Sequence, residues 1–141
     1  MKWADERMLS ALSASAPESM LAPLKHIFQG EDVWLRRIPG EPGAQLSEIE
    51  VPGPEALREL WSPVHRDWLG WAGSLTSEAD WARIVPHRNS RGDLFEMPAW
   101  QVMMHVVNHG SYHRGQVAMR LREAGMAPPP TDLIQYYRSA A

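Results

Sequence analysis

Cysteine is absent from this 141-residue chain. That excludes disulfides, thiolate metal ligands and any nucleophilic thiol of the chain's own. No apolar run approaches the roughly 20 residues of a membrane-spanning helix. The N-terminal stretch MKWADERMLSALSAS is mixed in charge and lacks the apolar centre of a secretory signal. A cytoplasmic protein without a membrane partner is the expectation. Basic excess is missing as well. Fourteen Lys and Arg against 17 Asp and Glu leave a formal charge of −3, so no nucleic-acid partner is expected, because neutralising phosphates needs a basic surface. The arginine pairs Arg36–Arg37 and Arg120/Arg122 read as solvated helix faces.

What is present suits one globular domain spanning 1–141. Apolar residues at 44% and charged residues at 22% are near globular averages, which argues against disorder. A chain of this length can bury about two-thirds of its unfolded surface without covalent staples. Seven tryptophans stand against two phenylalanines. Indole is large and has one N–H to satisfy, so most of these are assigned to the core. Trp3 and Trp100 are candidates for a surface that a single domain leaves uncovered.

Apolar spacing predicts a first amphipathic helix over 2–14. A second begins near Ser19, with Pro23 in its first turn, and stops at Pro39–Gly40. Four prolines and three glycines in 39–54 mark a long crossover loop. A third helix covers 55–75, with a kink or short break at Pro63. Thr76–Asp80 read as a turn. Residues 81–96, with NSRGD at their centre, fit a small β-hairpin. Pro98 opens a fourth helix that runs to Ala124, with Gly125 as its C-cap, about 40 Å long at 1.5 Å per residue. Beyond Pro128–Pro130, Thr131 or Asp132 caps a short terminal helix. The fold class is therefore all-α: an antiparallel four-helix bundle with one long crossover, a hairpin before the last long helix and a short C-terminal helix.

Three of the six histidines fall at His105, His109 and His113, every fourth residue of the fourth helix. Positions i and i+4 differ by about 40° around a helix and about 6 Å along it. Two such imidazoles can share one ion, but three cannot, because the outer pair is about 12 Å apart. Val102, Val106, Val117 and Leu121 share the stripe's side of the helix, so these imidazoles need hydrogen bonds or a metal. A hydrogen-bonded cluster of core histidines is the simpler alternative. A metal would need a further ligand from another helix, and His26, His65, His87 and the carboxylates are all available. His87 falls in the hairpin and is expected to be exposed, while His65 reads as a surface or helix-packing residue. Gly30, one turn after His26, suggests either close helix packing or space for an exogenous ligand. Spacing alone does not join His26 to the other two.

The segment HVVNHGSYHRGQVAMRLREAGMAPPPTDLIQYYR resembles the C-terminal signature of the DinB/YfiT-like metalloenzymes. There an N-H-x-x-Y/H-H-R-G-Q run, here Asn108 to Gln116, precedes a helix, a proline-rich turn and a D-[LF]-[IL]-x-[YF] tail. LKHIFQGEDVWLRRI is similar to the family's second helix, and residues 81–138 carry most of the likeness. The resemblance implies a divalent ion, nickel or zinc, on His26, His109 and His113. His105 then becomes a supporting or core residue, and Arg114 and Gln116 become hydrogen-bonding links between helices. It also implies a homodimer acting on a small molecule, such as a thiol conjugate. Thiol-dependent S-transfer or isomerisation ranks first, with the low-molecular-weight thiol supplied from outside. Metal-dependent hydrolysis is second, and a non-enzymatic metal- or ligand-binding bundle is the competing class. No general base stands out among Glu31, Asp67 and His105, so the catalytic residue stays unassigned.

Overall fold

The structure, a computed structural model, describes residues 1–40 and 44–140. Its order is α1 (Lys2–Ser10), α2 (Glu18–Arg37), α3 (Pro54–Ser74), α4 (Glu78–Ala82), β1 (Ile84–Arg88), β2 (Leu94–Pro98), α5 (Ala99–Glu123) and α6 (Leu133–Ala140). The fold is mostly helical with one antiparallel two-stranded hairpin. Helix α2 packs against α5 and α3, and α1 packs against α3 and α5. Trp61, Trp68, Leu24, Ile27, Val102 and Leu121 fill the space between them, each at most 2% exposed.

Several boundaries depart from the expectation for local reasons. Helix α1 stops at Ser10, short of the predicted 14, where Ser13 and Ser15 pair their own hydroxyls and serines compete with the helical backbone. Pro23 lies beyond the first turn of α2 and is buried. Helix α3 runs through Pro63 without a break. Pro63 and Glu59 are both exposed, so the Glu59 carbonyl that loses its N–H partner faces water. The predicted turn at Thr76–Asp80 is mostly helix. Ser77 and Asp80 form a reciprocal capping box that starts α4, the S-x-x-D form of that motif. Part of the 39–54 crossover, residues 41–43, lies outside the described residues.

The hairpin is present, with Ile84 opposite Pro98 and Arg88 opposite Leu94. Pro98 is the N-cap of α5 rather than its first helical residue. At the far end Gly125 takes φ +75°. Met126 N–H donates to the Leu121 carbonyl at 2.8 Å and Gly125 N–H to that of Arg122 at 2.9 Å, the paired bonds of a Schellman stop. The 25 residues of α5 make it the longest element. Along it the buried Val102, Val106, Val117 and Leu121 hold one face against the core. That packing sets where His109 and His113 can reach.

Candidate metal centre

His26 comes from α2 and His109 and His113 from α5, and the structure brings all three together. One ring nitrogen of each lies within 4.8 Å of the others. Ring centroids are 5.0 Å apart for His26–His109 and 4.6 Å for both His26–His113 and His109–His113. His26 Nε2 and His109 Nε2 are 3.3 Å apart, in hydrogen-bonding contact. All three residues are half-buried. Burial, and then His113, lower the pKa of His26. His109 falls to about 4 through burial and the neighbouring His113, His26 and His105. Both rings are therefore neutral at pH 7 with a lone pair each to give.

The surroundings hold these rings in place. His113 Nδ1 lies 3.0 Å from Gln116 Oε1. Since an amide oxygen only accepts, Nδ1 carries the proton and the Nε2 lone pair is left for the centre. Gln116 thus acts within α5, on a neighbouring ring, rather than as a link between helices. Gly30 has a different job from the expected space for a ligand. A Cβ there would stand 2.8 Å from His109 Cε1 and 3.0 Å from its Nδ1. The missing side chain is the room that His109 itself occupies.

His105 is not a core residue. It is exposed, lying 5.2 Å from the Trp34 ring and 6.1 Å from that of His109, centroid to centroid. His87, expected on the surface, is 7% exposed. Side chains in β1 alternate, so Val85 and His87 point inward, and His87 sits against Trp34 at 4.7 Å. Arg37 is not on a solvated face either. It is buried and donates to the Ala44 carbonyl and the Ser90 hydroxyl. Asp67 is exposed on α3, apart from these rings.

A second group of side chains is close enough to hold a cation: Asp5, Glu31 and His65, all fully buried. His65 is therefore no surface residue. Its Nε2 lies 3.2 Å from Asp5 Oδ2 and 3.6 Å from Glu31 Oε2. The other Asp5 oxygen accepts from Arg114 Nη1 at 2.7 Å, so Arg114 does link two helices. Trp61 Nε1 donates to Glu31 Oε2 at 2.7 Å. Burial first, and then the Asp5 charge, raise the Glu31 carboxyl to about 8. Glu31 Oε1 and His65 Nδ1 have no partner among the described residues. A shared cation or a retained proton could each relieve the crowding of two acids in so dry a place. Arg114 already supplies one positive charge there, and solvent reaches none of the three.

Residues 5–141 match the profile of the DinB family. The chain belongs to the DinB family. It is also 42% identical over 121 residues to Protein DinB of Bacillus subtilis (strain 168), an alignment covering 80% of this chain and 69% of that protein. For a DinB-family chain, the imidazole cluster and the acidic cluster are the two places among the described residues where donors converge. The imidazoles offer three nitrogen donors, at least two of them neutral, on half-buried side chains. Three imidazoles are a donor set of the kind that can hold a divalent transition-metal ion. The acidic cluster offers carboxylate oxygens, most already taken up by Trp61, His65 and Arg114, with Glu31 Oε1 left without a partner among the described residues.

Proposed function

We propose that this DinB-family chain is a metal-dependent enzyme of a four-helix-bundle type, with nickel or zinc held by His26, His109 and His113. The observation that carries this reading is the meeting of three imidazole nitrogens from two helices within 4.8 Å, with Gln116 fixing the tautomer of one. A divalent cation bound there would supply Lewis acidity, lowering the pKa of a thiol or water that joins it. His26 and His109 stay neutral; their Nε2 contact puts a proton on one of the two nitrogens, which would move to Nδ1 when an ion draws on both. Gly30 lets the two helices approach closely enough for both to contribute. His105 borders the His109 ring and Trp34 lies beyond it, together an aromatic wall against which a small substrate can lie.

The reaction we favour is thiol-dependent S-transfer or isomerisation on a small molecule in the cytoplasm. The chain has no cysteine, so the thiol comes from solution. No helix of the described residues is long and apolar enough to cross a membrane, which agrees with a substrate met in water. A homodimer belongs to the same reading. Trp100 and Met104, 48% and 61% exposed, lie one turn apart on α5 as an apolar stripe that a second copy would cover.

The test is elemental analysis of protein purified without chelators, beside His26→Ala and His113→Ala, followed by turnover with low-molecular-weight thiols and electrophilic substrates. One ion per chain, lost in both variants, and thiol-dependent turnover are expected. Full metal content in His113→Ala would remove the site. Metal without thiol-dependent turnover would leave hydrolysis or simple binding.

A further inference from the structure

A groove of about 1070 Å³ runs between α1, α5 and the C-terminal tail, at the upper end of the range for small-molecule sites. Its α5 wall is Val107, Ser111 and the buried Arg114, whose charge Asp5 takes up. At 100° per residue these lie roughly 140–160° around the helix from His109, on the opposite face. The groove is therefore separate from the histidines and does not depend on what they bind. Trp3, Leu69, Leu133 and Tyr136 give it apolar walls. Leu69 and Leu133 remain 66% and 64% exposed, apolar surface that an aliphatic chain would take out of water.

The rim has the opposite sign to the chain as a whole, whose charge is −3. Lys2 and Arg7 are both exposed there, and neither pairs with an acid among the described residues. Glu6, the acid of the groove, is taken up by Arg58 at 2.8 Å. Arg7 is held in position. Its Nε donates to the Pro130 carbonyl at 3.0 Å, and its guanidinium lies 5.1 Å from the Trp3 ring centre. Trp3 in turn meets Tyr136 edge-on at 5.7 Å. An apolar trough whose walls carry two cations without acidic partners among the described residues complements an apolar chain ending in one negative charge.

We propose that this groove binds a free aliphatic monocarboxylate, its chain along Leu69, Val107 and Leu133 and its headgroup at the fixed Arg7 guanidinium, with Lys2 adding to the positive field of the walls. The test is calorimetric titration of metal-free protein with decanoate, below its micellar range, in parallel with decanol. Saturable binding of one decanoate per chain is expected, with decanol weaker by about tenfold or more. Lys2→Glu with Arg7→Glu should weaken decanoate by a similar factor while circular dichroism stays unchanged. Leu69→Asp, at a largely exposed position that tolerates polarity, should weaken it too. His113→Ala should bind decanoate as the parent does, whatever becomes of its metal. Equal affinity for decanol, no loss in the charge-reversed protein, or loss in His113→Ala would each overturn the assignment. So would absence of binding because a second copy of the chain fills the groove.

Discussion

At the residue scale Gly30 and Gln116 decide whether the imidazoles can act as one site. Gly30 gives a sharp prediction. Alanine is the better helix former by about 1 kcal/mol, so Gly30→Ala should cost little stability or even add some. Its Cβ nevertheless meets the His109 ring at 2.8 Å, and that ring must turn away. Competition with a chromophoric chelator should show metal affinity falling by about tenfold or more, with the melting temperature nearly unchanged. Unchanged affinity would mean the ring has another place to go. Gln116 is tested in the complementary way. Gln116→Leu leaves His113 Nδ1 without its acceptor, and losing such a supporting bond typically lowers metal affinity about 10- to 100-fold. Gln116→Glu keeps an acceptor and should recover most of the affinity, an outcome a purely structural role would not give.

At the element scale the Asp5, Glu31, His65 and Arg114 group stands out, because α1, α2, α3 and α5 each contribute one member. Asp5→Ala leaves Arg114 buried without its carboxylate, and a charge stranded in that way costs about 3–5 kcal/mol. Urea unfolding should show it. Glu31 sets a pH dependence. Below its ordinary 4.5 the folded and unfolded chains both hold the proton, and the shift costs nothing. Between 4.5 and about 8 the unfolded chain releases that proton while the folded one keeps it. Stability should therefore fall as pH rises through this window and level off above it. Glu31→Gln should flatten the profile in thermal melts at stepped pH, and an unaltered slope would assign it to other groups. This network also marks where reading the sequence stopped. Asp5 precedes Met8 and Leu12, Glu31 follows Leu24 and Ile27, and His65 stands between Trp61 and Trp68, all at apolar-stripe spacing. A charge on a core stripe is the available signal, but its partners lie on other helices and only packing pairs them. The i, i+4 histidines and the hairpin were legible because both are local patterns. His26 is legible through the family likeness alone, since α3, α4 and the hairpin separate α2 from α5 and no spacing rule reaches across them. The Ser77–Asp80 capping box is equally local, but the helix that it opens has five residues, too few for a periodic apolar signal.

At the scale of the whole molecule the α5 face opposite the histidines divides in two. Toward the C-terminus Val107 and Ser111 line the groove beneath the tail. Toward the N-terminus Trp100 and Met104 stand 48% and 61% exposed, and Ile84, Leu94 and Phe95 of the hairpin add further exposed apolar surface. Scattered apolar residues on a surface need no explanation, but two large ones a turn apart on one helix face are the patch on which the proposed dimer would form. Tryptophan at the centre of such a patch is the residue type that most often dominates association. A carboxylate at position 104 would have to lose its hydration in a dimer and would meet its own copy near a two-fold axis. Met104→Glu should therefore convert a dimeric protein to monomer in sedimentation velocity. Trp100→Ala should weaken association by about 2 kcal/mol or more, some thirtyfold in the dissociation constant. Neither position touches His26, His109 or His113, so one ion per chain should persist in the monomer. Loss of the ion on dissociation would instead tie the metal to the interface and require a donor from the second copy.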